Sequence, residues 1–268
     1  MAIASPSEED AGRAPSRPTG ASALADLKGD RTIAVCIPAR NEAATVGPIV
    51  DSIVSTLTGR SGGVSLVDDV VVVDDGSDDG TADLARRAGA RVIRSEVPTG
   101  GKGQAMGSAL IATDADLIAF VDADITNFGS HFVTGLLEPL LTDDSVALVK
   151  GYYRRPLHGS ADGGGRVTEL MARPVIDLLF PDLAAIRQPL AGETAAPRRV
   201  LEKCGLADGY AVELALLIDV ASLYGVDAIA QVDLGIRIHR NRPLDELRPQ
   251  ATDVLRAALA RARPVTPD

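Results

Sequence analysis

The 268-residue sequence predicts an α/β fold in which a mostly parallel, Rossmann-like sheet is flanked by helices. Short apolar runs alternate with segments of helical spacing from residue 32 to residue 149, as they do in parallel sheets. Polar turns follow several of these runs, and ligands bind at such carboxyl ends of parallel strands. The second half of the chain is less regular, and it predicts a smaller C-terminal lobe.

The predicted strands are short and apolar. The run of valines at residues 70–73 is typical of a central parallel strand that is buried on both faces. The last strand instead alternates apolar and polar residues. The strands are predicted at residues 32–39, 70–73, 91–94, 117–121, 146–149 and 228–239.

The predicted helices lie between these strands and in the second half of the chain. Asn41 offers an N-cap for the first helix, since its side chain can accept a hydrogen bond from the first helical turn. Residues 188–193 are predicted as a loop, and the last helix is amphipathic. The helices are predicted at residues 43–57, 81–88, 104–112, 131–141, 167–179, 210–223 and 244–262.

Composition excludes several classes of protein. The formal net charge is −10, and no basic patch of the kind that binds nucleic acid is visible. Acidic residues or glycines interrupt each apolar run before it reaches membrane-spanning length, so no membrane association is expected. Residues 1–30 lack the apolar segment of a signal peptide and predict a disordered N-terminal tail. Cys36 and Cys204 lie in no metal-binding pattern, as is usual for buried thiols of a cytoplasmic protein.

Asp122 and Asp124 are the first candidates for function. They are two residues apart on an extended segment after an apolar strand, so their side chains share one face at the mouth of a pocket. Two such carboxylates need a cation or hydroxyl partners. A divalent metal that bridges them to a nucleotide diphosphate meets this need, and Mg²⁺ and Mn²⁺ prefer oxygen ligands. The alternative is a solvated turn, because a pattern of only two aspartates is too short to be specific for a metal site.

Lys102 lies in a glycine-rich segment at the predicted start of a helix, where backbone N–H groups favour anions. The segment is not a P-loop, because Glu96 and Gly103 occupy the positions where that motif has Gly and Ser or Thr. The dinucleotide-binding glycine fingerprint is also missing after the first strand, which disfavours an oxidoreductase. The alternative is that Lys102 is a surface lysine in a flexible turn.

Residues 163–168 form a second candidate anion site. Their three glycines let the backbone approach a ligand closely. Arg166 offers a planar guanidinium group, and Thr168 offers a hydroxyl in the first helical turn. This arrangement predicts binding of a phosphate or carboxylate.

Polar residues late in the chain add to the candidate site. Arg237, His239 and Asn241 fall at alternate positions, so an extended backbone points their side chains the same way. His239 is either a structural hydrogen-bonding residue or a metal ligand. Glu213 lies inside an apolar helix, where it either forms a salt bridge or binds the hydroxyl groups of a sugar.

Longer motifs give the sequence a family resemblance. The segments at residues 38–42, 74–77 and 122–124 resemble the pattern of family 2-like glycosyltransferases with the A-type fold. Motifs of the second half closely resemble the actinobacterial glucosyl-3-phosphoglycerate synthases, which share a retaining family with mannosyl-3-phosphoglycerate synthases. These motifs are residues 153–157, 163–170, 188–190, 209–213 and 228–244, and the resemblance extends from residue 32 to residue 247.

The resemblance implies an A-type glycosyltransferase fold and a metal-dependent, retaining transfer of a hexose. The donor would be a nucleotide-diphosphate sugar, with UDP-glucose favoured, and the acceptor would be 3-phosphoglycerate. Residues 31–150 would bind the nucleotide sugar, and residues 151–247 would bind the acceptor and carry catalysis. Residues 248–268 would form a C-terminal helix and tail. A homodimer is also implied.

The resemblance further implies roles for individual residues. Asp124 and His239 would bind the metal, Mg²⁺ or Mn²⁺. The catalytic residues would be Leu190, Glu213 and Asp124. The nucleotide-sugar residues would be Pro38, Ala39, Glu42, Asp75, Lys102, Asp122 and Ala123. The acceptor residues would be Gly165, Arg166, Thr168, Arg237 and Asn241.

One motif departs from the family pattern. Where those synthases tend to have Asp-Ser-Gly-Ser, this chain has Asp-Asp-Gly-Ser at residues 74–77, which leaves the donor base open between UDP and GDP. A paralogous glycosyltransferase of specialised metabolism, with another nucleotide sugar and acceptor, is one alternative. The anion site at residues 163–168 disfavours it, because a phosphate-free acceptor has no use for such a site. The other alternative, a non-catalytic nucleotide-sugar-binding protein, has no need of a metal site.

Overall fold

The structure is a computed structural model, and it describes residues 20–155, 165–238 and 244–262. Its centre is one seven-stranded sheet. The strands are β1 (Ile33–Ala39), β2 (Asp69–Asp74), β3 (Arg91–Arg94), β4 (Leu117–Phe120), β5 (Leu148–Arg154), β6 (Thr194–Pro197) and β7 (Ile229–Ile236). They lie in the order β3-β2-β1-β4-β6-β5-β7.

Helices flank this sheet on both faces. They are α1 (Ala21–Lys28), α2 (Val46–Leu57), α3 (Thr81–Arg87), α4 (Lys102–Ala112), α5 (His131–Thr142), α6 (Arg173–Leu179), α7 (Arg198–Cys204), α8 (Val212–Tyr224) and α9 (Leu244–Arg261). A π-helical turn at Thr168–Ala172 runs directly into α6. Within the described ranges, none of the helices has the length and apolar character needed to cross a membrane.

Alternate residues of each central strand face opposite sides of the sheet. On β1, Val35 and Ile37 pack into one cluster of buried side chains, whereas Ala34 and Cys36 pack into a second cluster. Helices α2 and α5 contribute to the first cluster, and α4 and α8 contribute to the second. Both faces of these strands are therefore buried, which explains why their sequences are apolar without alternation.

The carboxyl ends of β1, β2 and β4 meet at one edge of the sheet. Parallel pairing places Ala39, the last residue of β1, beside Asp74, the last residue of β2. Beyond the end of β4, the N–H of Val121 donates a hydrogen bond of 3.2 Å to the carbonyl of Cys36 in β1. The segment that carries Asp122 therefore leaves the sheet next to β1, and the predicted convergence of these strand ends is confirmed.

The sequence does not predict β6. This strand of four residues runs antiparallel to both β4 and β5 inside an otherwise parallel sheet. Its sequence, Thr-Ala-Ala-Pro, has little intrinsic preference for a strand, so its neighbours on both sides decide its conformation. The sheet is mostly parallel, as predicted, with this one exception. Helix α7 follows β6 directly and is also absent from the prediction.

Helix α1 corrects the prediction of disorder for residues 21–28. Leu24 is fully buried in the first cluster of the core, and α1 packs against α5. The Nζ atom of Lys28 lies 2.6 Å from Oδ1 of Asp68, which ties the end of α1 to the start of β2. A short helix with few buried residues leaves little periodic signal in the sequence, so it resembles the tail that precedes it. Residues 1–19 lie outside the described residues.

Helix α2 begins at Val46, later than predicted, and Asn41 is not its N-cap. Asn41 has a positive φ of 56°, and its side-chain oxygen accepts a hydrogen bond of 3.0 Å from the N–H of Asp78. In return, the N–H of Asn41 donates a hydrogen bond of 3.0 Å to the hydroxyl of Ser77. Asn41 therefore links the turn after β1 to the turn after β2, which keeps the two strand ends together.

The two predicted halves of the chain share this sheet. Strand β5 pairs with β7 in parallel, and β6 joins them to β4. Residues after position 150 thus extend the sheet that residues 31–150 begin. The division into a nucleotide-sugar half and an acceptor half stays a prediction about function, because the backbone shows no break between them at β5.

Candidate active site

A cavity of about 450 Å³ lies at the carboxyl ends of β1, β2 and β4. Its lining includes every predicted site residue that the structure describes. These are Pro38, Ala39, Glu42, Asp75, Lys102, Asp122, Ala123, Asp124, Gly165, Arg166, Thr168, Leu190, Glu213 and Arg237. His239 and Asn241 lie outside the described residues. The structure brings the described residues together, and their individual roles stay predictions.

Lys102 supplies a positive charge among the carboxylates of the cavity. It is the first residue of α4, and its Nζ lies 2.5 Å from Oδ1 of Asp122 and 2.7 Å from Oε1 of Glu213. Burial alone would lower the pKa of Lys102, but these two carboxylates outweigh burial and raise it. The ammonium group therefore stays charged, and it holds Asp122 and Glu213 in a fixed arrangement.

Gly192 lets the loop after Leu190 approach this ion pair. A Cβ atom at position 192 would overlap Nζ of Lys102 and the carboxylate of Asp122. A larger residue would displace the loop or separate the two charges, so the close approach requires glycine. The predicted loop at residues 188–193 is thereby brought to the cavity, which Leu190 lines.

Arg237 lies against the aspartates that follow β4. Its Nη2 is 2.7 Å from Oδ2 of Asp122 and 2.6 Å from Oδ1 of Asp124. Its Nε is 3.1 Å from Oε1 of Glu193, without the alignment of a hydrogen bond. Burial opposes the charge, but Glu193 and the aspartates outweigh it and raise the pKa of Arg237. The sequence groups Arg237 with the acceptor residues, whereas its contacts in the structure are with the predicted metal and ribose residues.

Glu193 is a buried carboxylate that the sequence does not single out. Its side chain is fully buried just before β6, and neither carboxylate oxygen has a hydrogen-bond partner among the described residues. Burial raises the pKa of Glu193, and the nearby charge of Arg237 opposes this shift. The only sequence signal is an acidic residue between a glycine and a short run of small residues, which is too weak to indicate burial.

Lys150, on β5, holds the loop that carries Leu190. Its Nζ donates a hydrogen bond of 2.6 Å to the carbonyl of Ala191. Burial lowers the pKa of Lys150 to about 8, although Glu213 opposes this shift. The sequence does not predict this role, because Lys150 follows the predicted strand at residues 146–149 and resembles an exposed strand end.

A cationic wall faces the turn at Gly165, where φ is 91°. Arg166 and Thr168 line this wall, as does Arg155, which the sequence does not predict. A Cβ atom on Gly165 would lie 3.5 Å from Nη1 of Arg155. The guanidinium group of Arg155 also donates a hydrogen bond of 2.7 Å to the hydroxyl of Tyr153, which sets its direction. Two arginines therefore line one wall, which favours an anionic ligand there.

Asp75 lies in the turn after β2. Its N–H donates a hydrogen bond of 2.9 Å to the carbonyl of Ala39, and its carbonyl accepts one of 3.3 Å from Thr99. In the side chain, Oδ2 accepts a hydrogen bond of 3.1 Å from the N–H of Gly101. The other oxygen, Oδ1, is buried and has no partner among the described residues. The side chain is thus held firmly by one of its two oxygens.

The C-terminal helix α9 closes one side of the cavity. It packs against α8 and against the 3₁₀ turn at Gly209–Ala211. The sequence places residues 248–268 outside the site, because an amphipathic pattern does not reveal which surface a helix covers. The residues of α9 that line the cavity are Leu247, Pro249, Gln250, Asp253 and Val254.

Comparisons with known proteins agree with this geometry. Residues 34–166 match the model of glycosyl transferase family 2. The chain is 47% identical over 251 residues to the glucosyl-3-phosphoglycerate synthase of Mycolicibacterium smegmatis, a match that covers 89% of this chain and 81% of that protein. The chain belongs to the glucosyl-3-phosphoglycerate synthase family. The family member of Petrotoga mobilis is 41% identical over 244 residues, which cover 87% of this chain and 74% of that protein.

Solved structures of the glucosyl-3-phosphoglycerate synthase family share the fold. The Mycobacterium tuberculosis enzyme in complex with Mn²⁺, UDP and glucosyl-3-phosphoglycerate gives a TM-score of 0.83 at 43% identity, covering 94% of this chain and 87% of that chain. The same enzyme in complex with Mg²⁺ and UDP gives a TM-score of 0.82, covering 94% and 86%. These similarities confirm the predicted A-type glycosyltransferase fold.

The cavity of this family member suits a divalent metal. The side chain of Asp124 is 24% exposed, so its carboxylate can take a further ligand from the cavity. Carboxylates together with substrate phosphates are the usual ligands of Mg²⁺ in proteins. Within the described ranges, no three His, Cys, Asp or Glu side chains gather around one point. The second predicted ligand, His239, lies outside those ranges, so its pairing with Asp124 stays a prediction.

Proposed function

We propose that this chain transfers glucose from UDP-glucose to 3-phosphoglycerate and forms glucosyl-3-phosphoglycerate. The observation that carries the proposal is one cavity with two kinds of charge. Asp122 and Asp124 lie at a strand end, and Arg155 and Arg166 line the wall near Gly165. The aspartates suit a metal-bound diphosphate, and the arginines suit a phosphorylated carboxylic acid. Relatives that are glucosyl-3-phosphoglycerate synthases match 89% of the chain, which supports the same assignment.

On the donor side, Asp124 and His239 are proposed to hold Mg²⁺ or Mn²⁺, the ions that accompany UDP in the M. tuberculosis structures. When bound, the metal supplies positive charge near the departing diphosphate. Asp122 and Ala123 contact the ribose in this proposal. Lys102 keeps the carboxylate of Asp122 in place, because its Nζ lies 2.5 Å from that carboxylate.

On the acceptor side, 3-phosphoglycerate brings about three negative charges near neutral pH. The protein has a net charge of −10 and repels anions as a whole, so binding requires local positive charge. Arg155 and Arg166 supply it with planar groups that bind a phosphate or carboxylate through paired hydrogen bonds. Thr168 adds a hydroxyl, and Gly165 allows the ligand to approach the backbone.

The transfer is proposed to retain the anomeric configuration. Glu213 is only 8% exposed and is paired with Lys102 at 2.7 Å. This pairing suits hydrogen bonding to sugar hydroxyls better than nucleophilic attack, because the nearby ammonium group stabilises the negative charge of the carboxylate and makes its oxygens poorer nucleophiles. The acceptor hydroxyl then attacks the anomeric carbon from the side of the leaving diphosphate. The bond between that carbon and the diphosphate breaks, and the hydroxyl proton passes to a diphosphate oxygen. The carbonyl near Leu190 orients that hydroxyl, and Lys150 holds the loop in place.

The stereochemistry of the product tests whether the anomeric configuration is retained. NMR of the glycosidic linkage should show the same anomer as the α-linked UDP-glucose, and a β-linked product overturns retention. Glu213→Gln should weaken sugar binding and slow transfer, and mass spectrometry should detect no covalent glycosyl-enzyme. Accumulation of such an adduct would show that a nucleophilic carboxylate has been overlooked.

A panel of donors tests the function itself. UDP-, GDP- and ADP-linked sugars are incubated with the protein and Mg²⁺, with and without 3-phosphoglycerate. The proposal expects UDP-glucose to be consumed fastest, and only when 3-phosphoglycerate is present. Transfer to an unphosphorylated acceptor, with none to 3-phosphoglycerate, favours the paralogous glycosyltransferase instead. The observation that favours this second candidate is Asp75, which stands where the family pattern has serine.

A homodimer and a cytoplasmic location are further parts of the proposal. Both come from resemblance to the family and from the composition of the chain. Size-exclusion chromatography with light scattering measures the mass in solution, and a mass of one chain across a range of concentrations contradicts the dimer.

A further inference from the structure

Tyr153 is a tyrosine near the end of β5 to which the proposed function gives no role. Its side chain is 3% exposed, and it is not among the residues that line the cavity. Its hydroxyl accepts hydrogen bonds of 2.7 Å from Nη2 of Arg155 and of 3.4 Å from Nη1 of Arg237. The two guanidinium groups also lie 4.8 and 5.3 Å from the centre of its ring. One buried side chain therefore contacts two arginines of the cavity.

These two arginines serve different sides of the cavity. Arg155 lies on the cationic wall, where the acceptor is proposed to bind. Arg237 holds the carboxylates of Asp122 and Asp124 at 2.7 and 2.6 Å, where the donor is proposed to bind. The hydroxyl oxygen of Tyr153 is the acceptor atom that both arginines share. A shift of one arginine therefore changes the surroundings of the other.

A β-bulge brings Arg237 to the same face of the sheet as Tyr153. Leu234 and Gly235 of β7 lie opposite the single residue Tyr153 of β5. Gly235 has a φ of 82°, which favours glycine at this position. Because successive side chains of a strand alternate between faces, the extra residue moves Arg237 onto the face of Tyr153. The N–H of Arg237 then donates a hydrogen bond of 3.0 Å to the carbonyl of Arg154, which fixes this register.

The surroundings of the Tyr153 hydroxyl determine its orientation. Burial raises the pKa of Tyr153, and the charge of Arg237 opposes this shift only in part, so the hydroxyl keeps its proton. A protonated phenol accepts hydrogen bonds through its lone pairs and donates only one. Both arginines donate to the oxygen, so the proton must point away from them. A change in the bond to one arginine therefore alters the lone pair that is presented to the other.

We propose that Tyr153 is a positioning residue through which binding of the donor strengthens binding of the acceptor. This role rests on the transfer function proposed above, and it concerns a residue that contacts neither substrate. The two sides of the cavity are coupled because Arg237, the Tyr153 hydroxyl and Arg155 form one chain of hydrogen bonds.

The direction of the coupling follows from the partners of Arg237. Its Nη2 is shared by Asp122 and Asp124, and its Nη1 reaches the Tyr153 hydroxyl only at the long distance of 3.4 Å. A donor that engages Asp124 removes one of these partners, so the guanidinium group turns towards the hydroxyl. The hydroxyl is then fixed more firmly, and it holds Arg155 in one direction. The acceptor meets an arginine that is already ordered, so less conformational entropy is lost on binding.

Two adjacent tyrosines provide a variant and its matched control. Tyr153→Phe removes the shared acceptor atom and keeps the ring, while the backbone carbonyl still accepts a hydrogen bond of 2.5 Å from Nε2 of Gln188. Tyr152 lies on the opposite face of the strand, where the guanidinium group of Arg187 is 4.4 Å from the centre of its ring. Tyr152 is not among the residues that line the cavity. Tyr152→Phe therefore makes the same chemical change outside the chain of hydrogen bonds.

Arg237→Lys tests the same coupling without a change at Tyr153. Lysine keeps a positive charge for Asp122 and Asp124. Its single nitrogen cannot contact the aspartates and the Tyr153 hydroxyl at once, as the two Nη atoms of arginine do. This variant decides the question if Tyr153→Phe does not fold. Thermal unfolding of each variant shows whether the fold is kept.

Calorimetric titration of the full chain with 3-phosphoglycerate measures the coupling. Each protein is titrated in Mg²⁺, once without UDP and once with saturating UDP, which carries no sugar to transfer. In wild type and Tyr152→Phe, UDP should tighten binding of 3-phosphoglycerate roughly tenfold. In Tyr153→Phe and Arg237→Lys this factor should be less than about threefold. By linkage, saturating 3-phosphoglycerate should tighten binding of UDP to wild type by the same factor.

A factor in Tyr153→Phe that equals the factor of wild type overturns the proposed coupling. This holds even if the variant binds 3-phosphoglycerate more weakly overall, because Tyr153 then only orients Arg155. A wild type that binds both ligands with a factor of about one also overturns the coupling but leaves the proposed function intact. If wild type binds neither UDP nor 3-phosphoglycerate, the proposed function fails and the coupling fails with it.

Discussion

Replacing Lys102 with methionine removes the ammonium group that joins two carboxylates of the cavity. Methionine keeps the length of an unbranched side chain and removes only the charge. Glu213, whose side chain is 8% exposed, then loses its partner at 2.7 Å. Asp122 is affected less, because it keeps its contact with Arg237 and its side chain is 22% exposed.

The magnitude follows mainly from Glu213. Leaving a buried charge without its partner destabilises a protein by about 3–5 kcal/mol. The lower end applies, since Lys102 is itself 14% exposed and water from the cavity can reach the carboxylate. We therefore expect Lys102→Met to lower the free energy of unfolding by about 3 kcal/mol. The double variant Lys102→Met/Glu213→Gln no longer contains the unpaired charge. Its free energy of unfolding should therefore fall by less than that of Lys102→Met alone, and the coupling energy between the two residues should be about 2 kcal/mol.

Urea unfolding followed by far-ultraviolet circular dichroism measures these energies, because the chain contains no tryptophan. Lys203→Met is a matched control: Lys203 is exposed and lies 5.0 Å from the centre of the Tyr224 ring. Lys203→Met should lower the free energy of unfolding by less than about 1 kcal/mol. If the effects of Lys102→Met and Glu213→Gln add to within about 0.5 kcal/mol, the two groups are not coupled and the reasoning is refuted.

Three further predictions concern the acceptor, the metal and pH. Arg166→Ala should weaken binding of 3-phosphoglycerate roughly tenfold to a hundredfold in a titration and leave UDP-glucose binding unchanged; a loss of donor binding alone contradicts the assignment. Arg166→Lys should restore only part of the affinity, because it keeps the charge but not the planar group. Transfer should stop in excess chelator and fall by orders of magnitude in Asp124→Ala and His239→Ala, and full activity in chelator rejects the metal site. Burial sets the pKa of Lys150 to about 8 from 10.5, so the folded state binds fewer protons than the unfolded state between these values. The free energy of unfolding should therefore rise by up to about 3 kcal/mol from pH 8 to 10.5 in wild type relative to Lys150→Met, and an equal pH dependence of the two contradicts the shift.

Much of the fold was predictable because its determinants are local. The valines of β2 and the apolar run of β1 indicate strands buried on both faces, and the helices between them require a parallel arrangement. Antiparallel β6 was not predictable, since Thr-Ala-Ala-Pro becomes a strand only between β4 and β5. Helix α1 was missed for a related reason, because its burial depends on contact with α5 rather than on its own periodicity.

The candidate site was likewise predictable only in part. The sequence by itself determined where Asp122, Asp124 and Lys102 lie, because strand ends and helix starts that follow one another in the chain converge at one edge of a parallel sheet. Only the tertiary structure decided which charges meet. Arg237 pairs with Asp122 across 115 residues, and Lys150 reaches the carbonyl of Ala191 across 41 residues. Burial and pairing depend on the path of the whole chain, and no local pattern records that path.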